Sequence, residues 1–221
     1  MAEINQVPDI YYDGSRKDLV ELIPGGVKRV LEIGCGKAGF AQNFPEGVEY
    51  WGVEPDNDAA NIAATKLTKV LHGTYDEVEA ELPNNYFDLI VCNDVIEHMP
   101  DHDAFFQKIK AKFASGGSLI GSVPNVRYYL NLKSLLKGRD WEYQSSGILD
   151  RTHLRFFTYK NLERCLQENG FVVDALAGVN GIKKRYMPPK RIFRQIVIAV
   201  LGQDVRYVQF GFRISVDKKE S

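Results

Sequence analysis

The sequence predicts an α/β domain built on one mostly parallel sheet, wound with helices on both faces. Three observations point there. Apolar runs of strand length alternate with segments of helical period, the pattern of strands buried on both sides beneath crossover helices. The first run ends in the glycine-rich turn Gly34-Cys35-Gly36-Lys37-Ala38-Gly39, which lets a backbone turn sharply beside a ligand. The second, Tyr50-Trp51-Gly52-Val53, ends in an acid, Glu54, where open sheets hold the ribose of a nucleoside.

Taken in order, strands are expected at Arg29 to Ile33, Glu49 to Glu54, Lys69 to His72, Phe87 to Asn93, Ser118 to Val123, Phe171 to Leu176 and Val208 to Val216. Helices are expected at Asp56 to Leu67, Asp103 to Phe113 and Tyr159 to Asn169. Turn signals separate them: Leu82-Pro83-Asn84-Asn85 before the fourth strand, Gly116-Gly117 before the fifth, and Gly170 closing the helix that ends at Asn169. Two stretches break the alternation. Residues 124–157 are too long for an ordinary connection and are expected to form a functional insertion. Residues 181–206 form a second insertion with its own apolar stretch, Ile192 to Leu201.

The chain has 221 residues, 44% of them hydrophobic, which suits one domain over residues 1–221 with substrate-side insertions. With 28 basic against 29 acidic residues, no global field favours nucleic acid. Cys35, Cys92 and Cys165 are far apart and lack metal-ligand spacing, which fits a reducing cytoplasm. The opening MAEINQVPDIYY does not read as a signal peptide. The longest apolar run near the C-terminus, Ile196 to Leu201, is far short of the roughly 20 residues that span a bilayer, so a soluble, cytoplasmic protein is expected.

Gly34, Gly36 and Gly39 satisfy G-x-G-x-x-G, which alone fits a dinucleotide as well as S-adenosylmethionine. The two acids decide between them. Glu32, two residues before the first glycine, would repel a pyrophosphate and suit a ligand bearing an ammonium and a sulfonium. Glu54 ends the next strand as a second acid.

With these features the chain resembles the class I S-adenosylmethionine-dependent methyltransferases from about Tyr11 to its last strand. The resemblance implies a Rossmann-like, doubly wound sheet of seven strands, mostly parallel with an antiparallel last strand, and an inserted cap. It places Glu32 and the Gly34-Cys35-Gly36 backbone at the methionine end of the cofactor, Glu54 at the ribose and Pro55 beside the adenine. The turn His72 to Asp76 falls where the family often has an acid at the adenine amino group; here Thr74 holds that place, followed by Tyr75 and Asp76. The family's third glycine falls at Ala38, one residue before Gly39. Asn93, Asp94 and Val95, at the end of Phe87-Asp88-Leu89-Ile90-Val91-Cys92-Asn93, would border the methyl group and acceptor. Asp94, Glu97 and His98 match the acid-x-x-Glu-His spacing with which a few quinone-type methyltransferases bind a divalent metal. No second ligand cluster accompanies them, and the adopted expectation is a hydrogen-bonded loop without metal.

On the substrate side, Val123 to Tyr128 and Gly147 to Thr158 resemble a subgroup associated with bacterial glycosyltransferases and surface-polysaccharide synthesis, as do Tyr11, Tyr12, Arg16 and Leu22-Ile23-Pro24. The expected acceptor is a small molecule or glycan, methylated at oxygen. His153 is the expected general base, oriented by Asp150, because imidazole titrates near neutrality; the alternative is a structural lock of the loop. Lys183, Lys184, Arg185, Lys190, Arg191 and Arg194 form a basic cluster suited to an anionic acceptor or peripheral membrane contact, or else a solvated face. The chain is expected as a monomer or homodimer. Two rival readings remain: a non-catalytic S-adenosylmethionine-binding module, and an NAD-dependent oxidoreductase, against which Glu32 and the lack of a Tyr-x-x-x-Lys set both argue.

Overall fold

The computed structural model describes residues 14–181 and 198–216. Seven strands form one sheet: β1 (Arg29–Ile33), β2 (Glu49–Glu54), β3 (Lys69–His72), β4 (Phe87–Asn93), β5 (Phe113–Pro124), β6 (Phe171–Gly181) and β7 (Tyr207–Val216). Their spatial order is β3-β2-β1-β4-β5-β7-β6. The first five pair in parallel, and β7 lies antiparallel between β5 and β6. The chain winds outward from β1 to β3, then returns to lay β4 on the other side of β1. That reversal opens a crevice at the carboxyl ends of β1 and β4, the place where such sheets take ligands.

Helices α1 (Asn57–Ala64), α2 (Tyr75–Val78), α3 (His102–Ile109), α4 (Tyr129–Lys133) and α5 (Tyr159–Glu168) complete the fold. The expected helix from Asp56 starts one residue later because Asp56 is its cap: the carboxylate accepts the Ala59 amide at 2.8 Å. One face of the sheet buries Phe105, Phe106, Leu162 and Leu166; the other buries Leu19, Phe40, Ala63 and Leu67.

The first four strands coincide with the expected bounds, and the last three run longer. Gly116-Gly117, expected as a turn, lies inside β5 as a bulge. Gly116 has φ +76°, a Cβ on Gly117 would stand 2.8 Å from the Phe87 carbonyl oxygen, and the register against β4 shifts there. β6 reaches Gly181 because Tyr207 to Gln209 of β7 pair with its end.

Two pieces outside the regular alternation are tied to the sheet. Residues 124–157 are pinned by a bridge between Asn125 and Phe157, and the Leu154 and Arg155 amides donate to the Glu97 carbonyl after β4. The 3-10 turn Lys17–Leu22 buries Leu19, whose methyl would sit 2.8 Å from a Cβ on Gly211 of β7. Tyr11, Tyr12 and the basic cluster from Lys183 to Arg194 lie outside the described residues. Among the described residues no helix is long and apolar enough to cross a membrane.

Candidate cofactor and acceptor site

Two adjoining cavities occupy the crevice and share Gly34, Asn93 and Asp94. One, of about 510 Å³, is lined by Arg16, Glu32, Cys35, Gly36, Lys37 and Lys66 among others. The second, of about 420 Å³, has Glu54, Pro55, Thr74, Tyr75, Val95 and His98 on its walls. The topology therefore brings together all eleven residues expected at the cofactor.

The glycine turn is braced from within. Its amides are used at home: Gly34 and Cys35 donate to the Val53 carbonyl at 2.8 and 3.1 Å, and Gly36 donates to Glu54 Oε2 at 2.7 Å. The use of these amides within the protein counts against a pyrophosphate, which needs those donors. Gly34 must be glycine, since at φ +71° its Cβ would lie 2.6 Å from a Val95 methyl. The one-residue offset of Gly39 also resolves. Ala38 itself holds the left-handed conformation at φ +60°, while Gly39 has an ordinary φ and is small because Gly14 backbone atoms would lie 2.7 to 2.8 Å from its Cβ.

Glu32 is 4% exposed and accepts the Tyr50 hydroxyl at 2.8 Å. Burial pushes its carboxyl up from 4.5 to about 8; Tyr50 opposes the shift, Glu54 adds to it and Arg16 opposes it. A carboxylate so short of solvent gains much from a cationic ligand. Glu54 Oε1 accepts the Asp56 amide at 2.9 Å, leaving each of its oxygens a further lone pair. Both side-chain polar atoms of the half-buried Asn93 are buried and unpartnered among the described residues, as is the Tyr75 hydroxyl. Orphaned polar atoms on cavity walls are what a polar ligand would satisfy. The residues fit S-adenosylmethionine: Glu32 for the ammonium, Arg16, Lys37 and Lys66 for the carboxylate, Glu54 for the ribose diol, and Tyr75 with Phe105, Met99 and Pro55 for the adenine. Thr74 is partly committed to capping α2, its amide and hydroxyl donating to Glu77 at 2.7 and 2.8 Å.

Asp94, with φ +56° just past β4, is held by a network that motif reading did not reveal. Ser122 donates to its Oδ1 at 3.0 Å, Gln209 donates to Oδ1 at 2.7 Å, and Arg16 pairs with Oδ2. Arg16 also bonds Asp18 and Gln209 at 3.1 Å. These partners come from the N-terminal turn, β5 and β7, so only the folded chain assembles them.

Asp94 is thus committed to Ser122, Gln209 and Arg16, and it is not part of the cluster that Glu97 and His98 join among the described residues. Glu97 and His98 instead meet His153, one nitrogen or oxygen of each lying within 4.8 Å of the others. Glu97 is fully buried with both carboxyl oxygens unpartnered among the described residues, and burial followed by the Asp94 charge raises its pKa well above the ordinary value of 4.5. The His98 and His153 rings pack edge to face at 4.7 Å.

The expected Asp150–His153 bond is absent among the described residues. His153 Nδ1 meets the Ile148 carbonyl at 3.1 Å, whereas Asp150 Oδ1 accepts the Thr152 amide and hydroxyl at 2.8 and 2.7 Å. Thr152, two positions along the turn, takes the carboxylate with both its amide and its hydroxyl. Burial pushes the His153 imidazole down, and the Ile148 carbonyl partly restores it.

A family described as "Methyltransferase domain" matches residues 13–176. Similar curated proteins include the ubiquinone biosynthesis O-methyltransferase of Bradyrhizobium sp. (strain ORS 278), 31% identical over 159 residues that make up 68% of this chain and 61% of that protein. The protein of the same name from Nitrobacter winogradskyi is 32% identical, over 68% of this chain and 59% of its own. The chain thus spans about three fifths of the length of these relatives. Among solved structures, a SAM-dependent methyltransferase from Archaeoglobus fulgidus superposes with TM-score 0.61 at 20% identity, covering 86% of each chain. A possible histamine N-methyltransferase from Thermotoga maritima gives TM-score 0.61 at 19% identity, over 93% of this chain and 88% of that one. These two share the fold.

Proposed function

The chain belongs to the methyltransferase-domain family, and on that premise we propose that it transfers the methyl group of S-adenosylmethionine to an oxygen of a small-molecule or glycan-type acceptor. The observation that carries this reading is the pair of cavities meeting at Asn93 and Asp94, one lined by charged groups and the other by Glu54, Pro55 and Tyr75. When bound, S-adenosylmethionine supplies a methyl carbon already activated by its sulfonium. The protein's own part is to hold the two reactants in line, exclude water and receive a proton. Glu32 and Arg16 anchor the amino-acid end, Glu54 anchors the ribose, and the network around Asp94 keeps the β4 end rigid.

Methylation at oxygen is supported by the name shared by the curated relatives. The glycan-type acceptor, and with it a place in polysaccharide synthesis, is supported by the resemblance of Val123 to Tyr128 and Gly147 to Thr158. Calorimetric titration with S-adenosylmethionine, S-adenosylhomocysteine and NAD comes first. Release of S-adenosylhomocysteine is then followed with phenolic and sugar acceptors. Saturable binding of the two sulfur ligands and turnover with one acceptor class is the expected result. Binding without turnover would make the chain a non-catalytic module, and binding of NAD alone would overturn the cofactor.

A further inference from the structure

We propose that the helical segment from Tyr129 to Gly138 docks the protein on an anionic lipid surface, a contact separate from the cofactor cavities and independent of the methyl-transfer reading. α4 and the π-helical turn Ser134–Gly138 run on as one ten-residue helix, closed by Arg139 at φ +55°. None of its side chains is buried, and Leu136 is 74% exposed. A helix this short is marginal in water unless an apolar face packs against something. Such a face is present: Tyr129, Leu132 and Leu136 recur at helical spacing, with Leu135 beside them. Of the nine large apolar side chains exposed among the described residues, Leu130, Leu135, Leu136, Tyr143 and Leu154 fall within residues 124–157, so the exposure is gathered in one region.

The foot of this helix is fixed. Asn125 is fully buried, and its side-chain amide donates to the Asp204 and Tyr207 carbonyls at 2.9 and 2.8 Å. Arg127 pairs with Asp204 Oδ2 at 2.7 Å and donates to the Leu201 carbonyl at 2.5 Å. That ties in residues 198–201 and with them Val200, a further exposed apolar side chain. Pro124 ends β5 at the edge of the sheet where β4 ends in Asn93, because Asn93 pairs with Ser122. The helix therefore rises from the edge that carries the two cavities.

Charge selects the occupant. No acid stands between Asn125 and Arg139, and Lys133, Lys137 and Arg139 are exposed with no ion pair among the described residues. Exposed leucines bordered by basic side chains complement a bilayer with anionic headgroups: the leucines enter the acyl boundary while the ammonium and guanidinium groups meet phosphate. A stable protein interface takes about 800 Å² and about 20 to 30 residues on each side, more than a ten-residue helix presents. A lipid surface sets no such minimum. Each basic group near an anionic surface strengthens binding roughly fivefold, so the three together supply on the order of 100-fold.

Flotation of the full chain with vesicles tests this. The wild type should float with vesicles of phosphatidylcholine and phosphatidylglycerol and stay behind with phosphatidylcholine alone. Lys133→Gln/Lys137→Gln should weaken partitioning about 25-fold, and Leu135→Gln/Leu136→Gln roughly tenfold or more. Both variants should keep the melting curve of the wild type and its Kd for S-adenosylmethionine. A wild type that ignores the anionic vesicles would overturn the proposal. Flotation undiminished in both variants would place the contact elsewhere in the chain and overturn it as well. A lower melting temperature for Leu135→Gln/Leu136→Gln without vesicles would mean that the leucines pack on this chain, and a dimer that this variant splits would mean that they pack on a second copy. Either result removes the lipid assignment.

Discussion

Replacing Glu32 by glutamine separates the stability this carboxyl costs from the binding it supports. In the folded chain burial lifts it from 4.5 to about 8. The sign follows from linkage: an acid with a raised folded pKa leaves stability intact below pH 4.5, erodes it as pH rises from 4.5 to 8, and costs a constant amount above that. A shift of about 3.5 units at ~1.36 kcal/mol each sets an upper limit of about 5 kcal/mol. Glutamine keeps an oxygen for the Tyr50 hydroxyl, so Glu32→Gln should stabilise the protein by about 2 to 5 kcal/mol at pH 8.5 and little at pH 4.5. Urea denaturation at several pH values measures this. Cofactor binding should move oppositely. An ammonium ligand requires the ionised carboxylate, so binding to the wild type should release a proton below pH 8, and affinity should climb by up to about tenfold per pH unit before levelling near 8. In Glu32→Gln that slope should vanish and affinity fall by about 1.5 to 3 kcal/mol. Calorimetry in two buffers of different ionisation heat reads the proton count. Parallel stability curves for variant and wild type, or binding without proton release, would refute the reasoning.

Glu54→Ala should lose about 1.5 to 3 kcal/mol of S-adenosylmethionine affinity through its charge-assisted hydrogen bonds, read by titration; unchanged affinity would remove it from the site. Arg16→Met leaves Asp94 buried without its cation and should cost about 3 to 5 kcal/mol in urea melts, much of it regained in Arg16→Met/Asp94→Asn. Equal losses in the single and double variants would mean the pair is not the cause. Gly39→Ala drives a Cβ into the Gly14 backbone and should cost about 1 to 3 kcal/mol while exposing the N-terminal turn to protease. An unchanged melt and digestion pattern would place the clash elsewhere.

Much of this protein is legible in its sequence, because the signals are local. Strand-length apolar runs settle β1 to β4 to the residue, since a buried parallel strand must be apolar throughout and is cut off sharply by a turn. Glu32 lies beside the glycine turn along the chain, and Glu54 ends the next strand, which the strand–turn–strand order lays parallel to the first, so their closeness is foreseeable.

Tertiary structure decided the rest. Arg16, Ser122 and Gln209 converge on Asp94 from segments up to 193 residues apart, and no spacing rule spans such distances. The lengths of β5, β6 and β7 depend on pairing with one another, so bulges and register outweigh the turn residues. What Asp150 holds was also beyond the sequence. Asp150 and His153 are near in number, but the Thr152 hydroxyl occupies the carboxylate and also meets His98 Nδ1, from a segment distant in sequence. Sequence by itself determined the fold class and the chemical character of the cofactor site. The folded sheet determined which side chains line the two cavities, because orientation depends on contacts between distant segments.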